Sequence, residues 1–239
     1  MNCYYFTTGG NGDIIYSIPC TMMLGEGIYW FGGEFSEGIL TNLGPLLLEQ
    51  PHIKEIRFGP HDASAYDGKY YDMSCLWRQP DLGNIILPIN FSRALGINNF
   101  ELKYPYLTMN NVVRRITAPY VIIGRTPRYR DPQLDWSKVI KHILATTDYE
   151  IYFNGLQYEY DDFISTYGYG DIISRLECKN FRDIAEYVCG AEAVYCNQTS
   201  LLTVAQGLGK PYFLEKEPTH MNCVWNIPEE TIIQRMKFD

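Results

Sequence analysis

No apolar run in this chain approaches the roughly 18 residues needed to cross a bilayer. Basic residues are scarce as well: 20 Lys and Arg stand against 28 Asp and Glu, a net charge of −8. Nucleic-acid binding draws on phosphate neutralisation and leaves a basic face, so nucleic acid is not an expected partner. The seven cysteines, at 3, 20, 75, 178, 189, 196 and 223, contain no Cys-x-x-Cys pair. Zinc and dithiol chemistry are therefore unsupported, and reduced thiols in a cytoplasmic protein are the expectation. The four histidines (52, 61, 142 and 220) share no spacing, so neither a metal site nor a bound cofactor is expected. No basic segment or small-residue cleavage site follows Met1, which reads against a signal peptide. There is no internal repeat, no spaced-glycine dinucleotide fingerprint and no Walker lysine.

What is present is alternation. With 239 residues, 46% of them hydrophobic, the chain can bury a core in one large domain or two small ones. Residues 3–8 read as a strand ending at Gly9-Gly10-Asn11-Gly12. A helix follows over 13–24, and Pro19 should kink it or end its first part. Residues 27–31 and 53–58 read as buried strands, and 71–77 as a weaker one. Residues 101–119 hold Pro105 and Pro119 without a clear period and serve as the crossover between halves. Beyond it, 120–124 is a buried strand, and Trp136, Val139, Ile140, Ile143 and Leu144 form a helical stripe capped by Asp135. Residues 149–153 are a strand. Phe181, Ile184, Ala185, Val188 and Cys189 repeat the stripe behind Asn180. A strand over 193–196, a helix over 199–208 closed by Gly209 and Pro211, and a strand over 212–214 complete the pattern. Strands alternating with helices make parallel sheets. The expected fold is α/β, two Rossmann-like lobes facing across a cleft, with residues 1–115 in the first lobe and 116–239 in the second.

Three constellations fall where strands give way to the next element, the edge at which open α/β sheets hold ligands. Gly9-Gly10-Asn11-Gly12-Asp13 offers a tight turn and open helix N–H groups, or simply a turn with Asp13 as a favourable charge at a helix start. Cys196-Asn197-Gln198-Thr199-Ser200 offers two hydroxyls at a helix start, suited to a phosphate, or a plain helix cap. Arg125, Arg128 and Arg130 form the one dense cationic cluster, shaped for bidentate phosphate contacts, or a solvated basic loop. The acidic pairs Asp161-Asp162 and Glu215-x-Glu217 read as surface carboxylates.

Taken together these residues resemble the bacterial heptosyltransferase-like (family 9-like) glycosyltransferases of GT-B fold. The first match is Gly10-Asn11-Gly12-Asp13-Ile14-Ile15-Tyr16-Ser17-Ile18-Pro19, where the family has Gly-Asp, two aliphatics, usually His, and Leu-Pro. The second runs from Asp183 through Asn197-Gln198-Thr199-Ser200 to Leu208-Gly209-Lys210-Pro211. The resemblance covers about residues 120–214 and, locally, 3–19; members of the family are about a hundred residues longer. It implies transfer of a sugar from a nucleotide-diphosphate donor to a hydroxyl acceptor, a glycan or glycolipid, with inversion and without a metal. Asp13 is then the general base, kept ionised by its helix start, with Gly10 and Gly12 forming its turn. Arg128, Arg130, Thr199 and Ser200 hold the donor phosphates, while Asn197, Gln198 and Glu159 face the nucleoside or sugar; residues 1–115 are then the acceptor side and 116–239 the donor-nucleotide side. The lobes are expected to close around the donor. The family's acid and histidine are here Gln198 and Thr203, and Tyr16 stands where His is usual. These departures imply a different donor, or the alternative that the chain is a catalytically inactive nucleotide- or sugar-nucleotide-binding protein of the same fold.

Overall fold

The computed structural model describes residues 1–61, 67–80, 83–236 and 238. In chain order its regular elements are β1 (Asn2–Phe6), α1 (Asn11–Leu24), β2 (Gly27–Phe31), α2 (Gly38–Asn42), α3 (Gly44–Leu47), β3 (Ile53–Phe58), β4 (Tyr70–Asp72) and α4 (Leu87–Ala94). The second half holds β5 (Tyr120–Gly124), α5 (Trp136–Thr146), β6 (Glu150–Phe153), α6 (Gln157–Tyr167), β7 (Ile173–Arg175), α7 (Phe181–Gly190), β8 (Ala193–Asn197), α8 (Ser200–Gly207), β9 (Tyr212–Glu215) and β10 (Glu230–Ile232).

The strands form two separate sheets, one of order β3-β2-β1-β4 and one of order β10-β9-β8-β5-β6-β7. Every pairing is parallel. The central strands show why: every residue of β5 and of β8 is buried, as expected of strands covered by helices on both faces. The stripe of α5 turns Trp136, Val139, Ile140 and Ile143 inward behind Asp135, whose carboxylate accepts the Ser137 N–H. Asn180 caps α7 through the Asp183 N–H.

Pro19 neither ends α1 nor begins a new element. The helix runs on to Leu24; the Ser17 and Thr21 hydroxyls donate to the carbonyls of Ile14 and Ile18, while the carbonyl that Pro19 leaves without its N–H partner is that of Ile15. Residues 71–77 are only partly strand. After Asp72 the chain tightens into a 3-10 helix, Met73–Arg78, capped by the Asp72 side chain on the Ser74 N–H. The helices α2, α3, α4 and α6 and the strand β7 had no counterpart in the sequence pattern. Four of these are too short for a period to register, and α6 buries only Glu159 and Phe163.

The lobes meet at α1 and α8. One apolar core runs through both: it includes Ile14, Ile18 and Phe91 from the first lobe, and Leu202, Ala205 and Leu214 from the second. Each fully buried side chain of this kind contributes about 1.5–3 kcal/mol. Tyr16 donates from its buried hydroxyl to Gln206 Oε1 at 2.5 Å, and Gln206 in turn donates to the Tyr212 hydroxyl at 3.0 Å. At a second junction Glu49 pairs with Arg182 of α7 at 2.6 Å. A continuous buried interface joins the lobes, which opposes their wide separation.

Candidate functional site

A cleft of about 830 Å³ opens between the lobes. Its walls are the segments that leave the carboxyl ends of β1, β2, β5 and β8, so residues 8–13 and Glu34 face Thr126, Arg128, Gln198, Thr199, Ser200 and Thr203 across it. Gly12 sets the spacing. A Cβ there would lie 3.0 Å from Thr203 Oγ1 and 3.6 Å from Ser200 Cα, so the start of α1 abuts the start of α8 closely. Gly10 is equally tight, 3.1 Å from an Asp13 carboxylate oxygen.

Asp13 stands next to that contact. The Gly10 N–H donates to its Oδ2 at 2.7 Å, which fixes the carboxylate and leaves Oδ1 for a ligand. The helix start was expected to hold Asp13 fully ionised. Burial instead lifts its carboxyl above the usual range, and the Gly10 bond and the nearby Arg128 only partly offset this. The result is a stronger base than a surface aspartate.

The opposing wall begins at Thr199, the N-cap of α8. Its hydroxyl makes no capping bond and, although buried, has no hydrogen-bond partner. An orphaned buried donor is costly, and here it lies beside Ser200 at a helix start whose first N–H groups have no intrahelical partner. Arg128 is exposed on the same cleft wall, and no carboxylate pairs with it among the described residues. Gln198 lines the cleft and holds the 217–222 loop: its Nε2 donates to the His220 carbonyl at 3.1 Å and its Oε1 accepts the Glu217 N–H at 3.2 Å. Thr203, where the resemblance has a histidine, spends its hydroxyl on the Thr199 carbonyl at 3.4 Å. Tyr16 likewise reaches Gln206, and burial keeps it protonated by pushing its pKa well up. Cys223 lines the cleft too, but burial pushes its thiol up to about 11, so it is not a thiolate nucleophile.

Three expected site residues lie elsewhere. Arg130 turns away from the cleft: its Nη2 pairs with Asp162 at 2.6 Å and its Nε donates to the Thr126 carbonyl. Glu159 is buried at the start of α6, where its Oε2 accepts the Leu156 N–H at 2.8 Å; it caps that helix and does not line the cleft. Asn197 is fully buried and acts through the arginine loop. Its side chain accepts the Thr126 N–H and donates to the Thr126 and Arg128 carbonyls at 3.0 and 2.6 Å. Glu215, read from sequence as a surface carboxylate, is completely buried. It takes a bidentate grip on Arg125 at 2.7 and 2.8 Å and also accepts from Trp136 Nε1 and the Asp131 N–H. Arg125 is thus committed to the fold.

The cleft also gathers residues that the sequence pattern did not single out: Trp77, Glu34 and Thr8 from the first lobe, and Tyr129, His220 and Asn222 from the second. Gly33 was the one available signal. Its φ of +60° and the 2.4 Å that would separate its Cβ from the Thr7 carbonyl mark a turn only glycine fits. Among the described residues, no group of three or more His, Cys, Asp or Glu is placed to hold a metal, and no helix is long and apolar enough to cross a membrane.

Fold and site together define a two-lobed α/β protein with its ligand cleft at the carboxyl ends of both sheets. The sequence matches no family model and no curated protein. Solved structures do match. ADP-heptose LPS heptosyltransferase II of E. coli superposes with a TM-score of 0.65 at 12% identity, over 98% of this chain and 90% of that one. The iron-containing dodecameric glycosyltransferase TibC of enterotoxigenic E. coli gives 0.66 at 17% identity, over 99% of this chain but only 65% of its own, so this chain spans less than two thirds of TibC. E. coli heptosyltransferase WaaC, solved with ADP-2-deoxy-2-fluoro heptose, gives 0.57 at 12% identity, over 97% and 92%. At such identities the likeness establishes the fold: the protein has the GT-B-type fold of the heptosyltransferase-like glycosyltransferases.

Proposed function

We propose that the protein is a glycosyltransferase that moves a sugar from a nucleotide-diphosphate donor to a hydroxyl on a glycan or glycolipid acceptor. The observation that carries this reading is the junction at Gly12: a half-buried carboxylate raised in basicity stands one residue away from a helix start that offers an orphaned hydroxyl, open N–H groups and an unpaired arginine. The donor diphosphate sits against Thr199, Ser200 and Arg128. Asp13 Oδ1 takes the proton from the acceptor hydroxyl as that oxygen attacks the anomeric carbon from the face opposite the phosphate, so configuration inverts. The bond from the anomeric carbon to the phosphate oxygen breaks, and the leaving diphosphate keeps the electron pair. The helix start and Arg128 stabilise that charge, so the step needs no metal. Nucleotide sugar is a co-substrate here and no resident cofactor takes part; the reaction is placed in the cytoplasm.

The replacement of the family's acid and histidine by Gln198 and Thr203 bears on which sugar and base are accepted. Neither residue supplies the proton transfer, which rests on Asp13. Turnover of a panel of nucleotide sugars, with release of nucleoside diphosphate monitored, tests the reading. Turnover by the native chain that is lost in Asp13→Asn supports it. Nucleotide binding without turnover of any donor would favour the binding-protein alternative.

A further inference from the structure

The cleft is electrically divided. The charged side chains that line it are Asp13 and Glu34 on the first lobe and Arg128 on the second; no lysine or arginine of the first lobe lines it among the described residues. Arg78, the one cation beside Trp77 in sequence, is engaged by Asp72 and stays off the wall. The acidic side is tied to the end of β1. Glu34 donates its backbone N–H to the Thr7 carbonyl at 2.8 Å, its carboxylate accepts the Thr8 hydroxyl at 2.5 Å, and the Gly33 turn presses the loop onto the end of β1. Trp77 lies beside it with 42% of its surface exposed. A Cβ on Gly9 would be 3.7 Å from the Trp77 indole and 3.8 Å from Asp13 Cβ, so the two side chains flank a single glycine.

With the acceptor on this wall, we propose that it is an uncharged saccharide, and that phosphorylated or carboxylated sugars are rejected there. The inference rests on the transferase reading of Asp13. An indole face offers a flat apolar surface for the C–H face of a sugar ring, and a fixed carboxylate, which only accepts hydrogen bonds, suits hydroxyls at the ring edge. An anionic group placed between Asp13 and Glu34 in a partly dry cleft meets two like charges and no counter-ion on its own side. The anionic donor goes to the cationic lobe, and the neutral polyol goes to the acidic one.

The test uses the full chain with a saturating nucleoside diphosphate chosen by calorimetry. Binding of methyl glucoside, methyl galactoside and N-acetylglucosamine is then compared with glucose 6-phosphate and methyl glucuronide by saturation-transfer NMR. At least one neutral sugar is expected to bind and the anionic ones not. Trp77→Ala should weaken the neutral sugar about tenfold, the scale of one aromatic contact, without changing nucleotide affinity. Glu34→Lys, a change on an exposed loop, should turn the preference toward the anionic sugars. A preference of the native chain for anionic sugars, no binding of any neutral sugar, or equal neutral-sugar binding by Trp77→Ala would overturn the inference. Absence of nucleotide binding in the first step would instead count against the transferase reading itself.

Discussion

The first lobe shapes its edge of the cleft with backbone, and the second shapes its edge with buried side chains. In the first, Gly9 at φ +131° and Gly33 at φ +60° bend two loops, and Asp13 is fixed by a single N–H from Gly10. In the second, Arg125 and Glu215 lock β5 to β9 beneath the surface, and Asn197 carries that rigidity into the loop bearing Arg128. The difference assigns tasks. A chemical group held by one hydrogen bond can be changed without unfolding the lobe, so the first lobe tolerates alterations to its chemistry. A binding loop hung from a buried ion pair gains fixed geometry and is lost when the pair is broken.

The largest expected effect is on rate. Asp13→Asn should lower transfer by about 10²–10⁴-fold, the range for a positioned base, while nucleoside diphosphate affinity stays as it was. Steady-state kinetics with matched calorimetry separates the two, and an unchanged kcat would reduce Asp13 to a helix-start charge. The raised carboxyl also places the acid limb of kcat/KM above the ordinary carboxylate range.

On the second lobe the effect should be on stability. Glu215→Gln leaves Arg125 buried without its counter-charge, which typically costs about 3–5 kcal/mol, measurable by chemical denaturation. A loss no larger than that of an exposed ion pair would break the contrast between the lobes.

Within the arginine loop a smaller difference is expected. Arg128→Ala should weaken nucleoside diphosphate binding by about 1.5–3 kcal/mol, the scale of a charged hydrogen bond. Arg130→Ala, which removes only the partly exposed pair with Asp162, should change that affinity by less than about 1 kcal/mol.

A separate effect is a pH signature of the first lobe. Burial, helped by the Lys54 charge, holds His52 down to about 4, with its Nε2 2.9 Å from the Thr21 hydroxyl. A depressed folded pKa gives stability that is complete above the unfolded value of about 6.5 and fades as pH falls toward about 4. Asp13, raised by burial, works in the opposite sense: its term favours the folded state at low pH and is lost as pH rises through the folded pKa. Acid titration of stability should therefore show a loss between these His52 values that His52→Gln removes, and an unaltered profile would contradict the assignment.

The two lobes were also unequally legible. In the second, apolar stripes at helical spacing, the caps Asp135 and Asn180 and the continuously buried β5 and β8 gave elements close to those observed, although α6 and β7 left no such signal. In the first, α2 and α3 are each about one turn long, and Pro19 signalled a kink or break where α1 runs on to Leu24. The site followed the same logic. Asp13, Gly12, Thr199 and Arg128 announce themselves through turn chemistry at strand ends. Arg130 and Glu159 looked equivalent by residue type, yet a local carboxylate and a local N–H claim them, and such competition is decided only by the packed structure. Trp77 and Glu34 carry no spacing signal, since they come from a 3-10 turn and a glycine-anchored loop.

The most direct test of the central claim is titration calorimetry of the native chain and Arg128→Ala with adenosine, uridine, guanosine and cytidine diphosphates. The account predicts that at least one binds the native chain and that the preferred one binds Arg128→Ala about ten- to a hundredfold more weakly. Failure of all four to bind, or equal affinity in the variant, would contradict a donor-phosphate site at the start of α8.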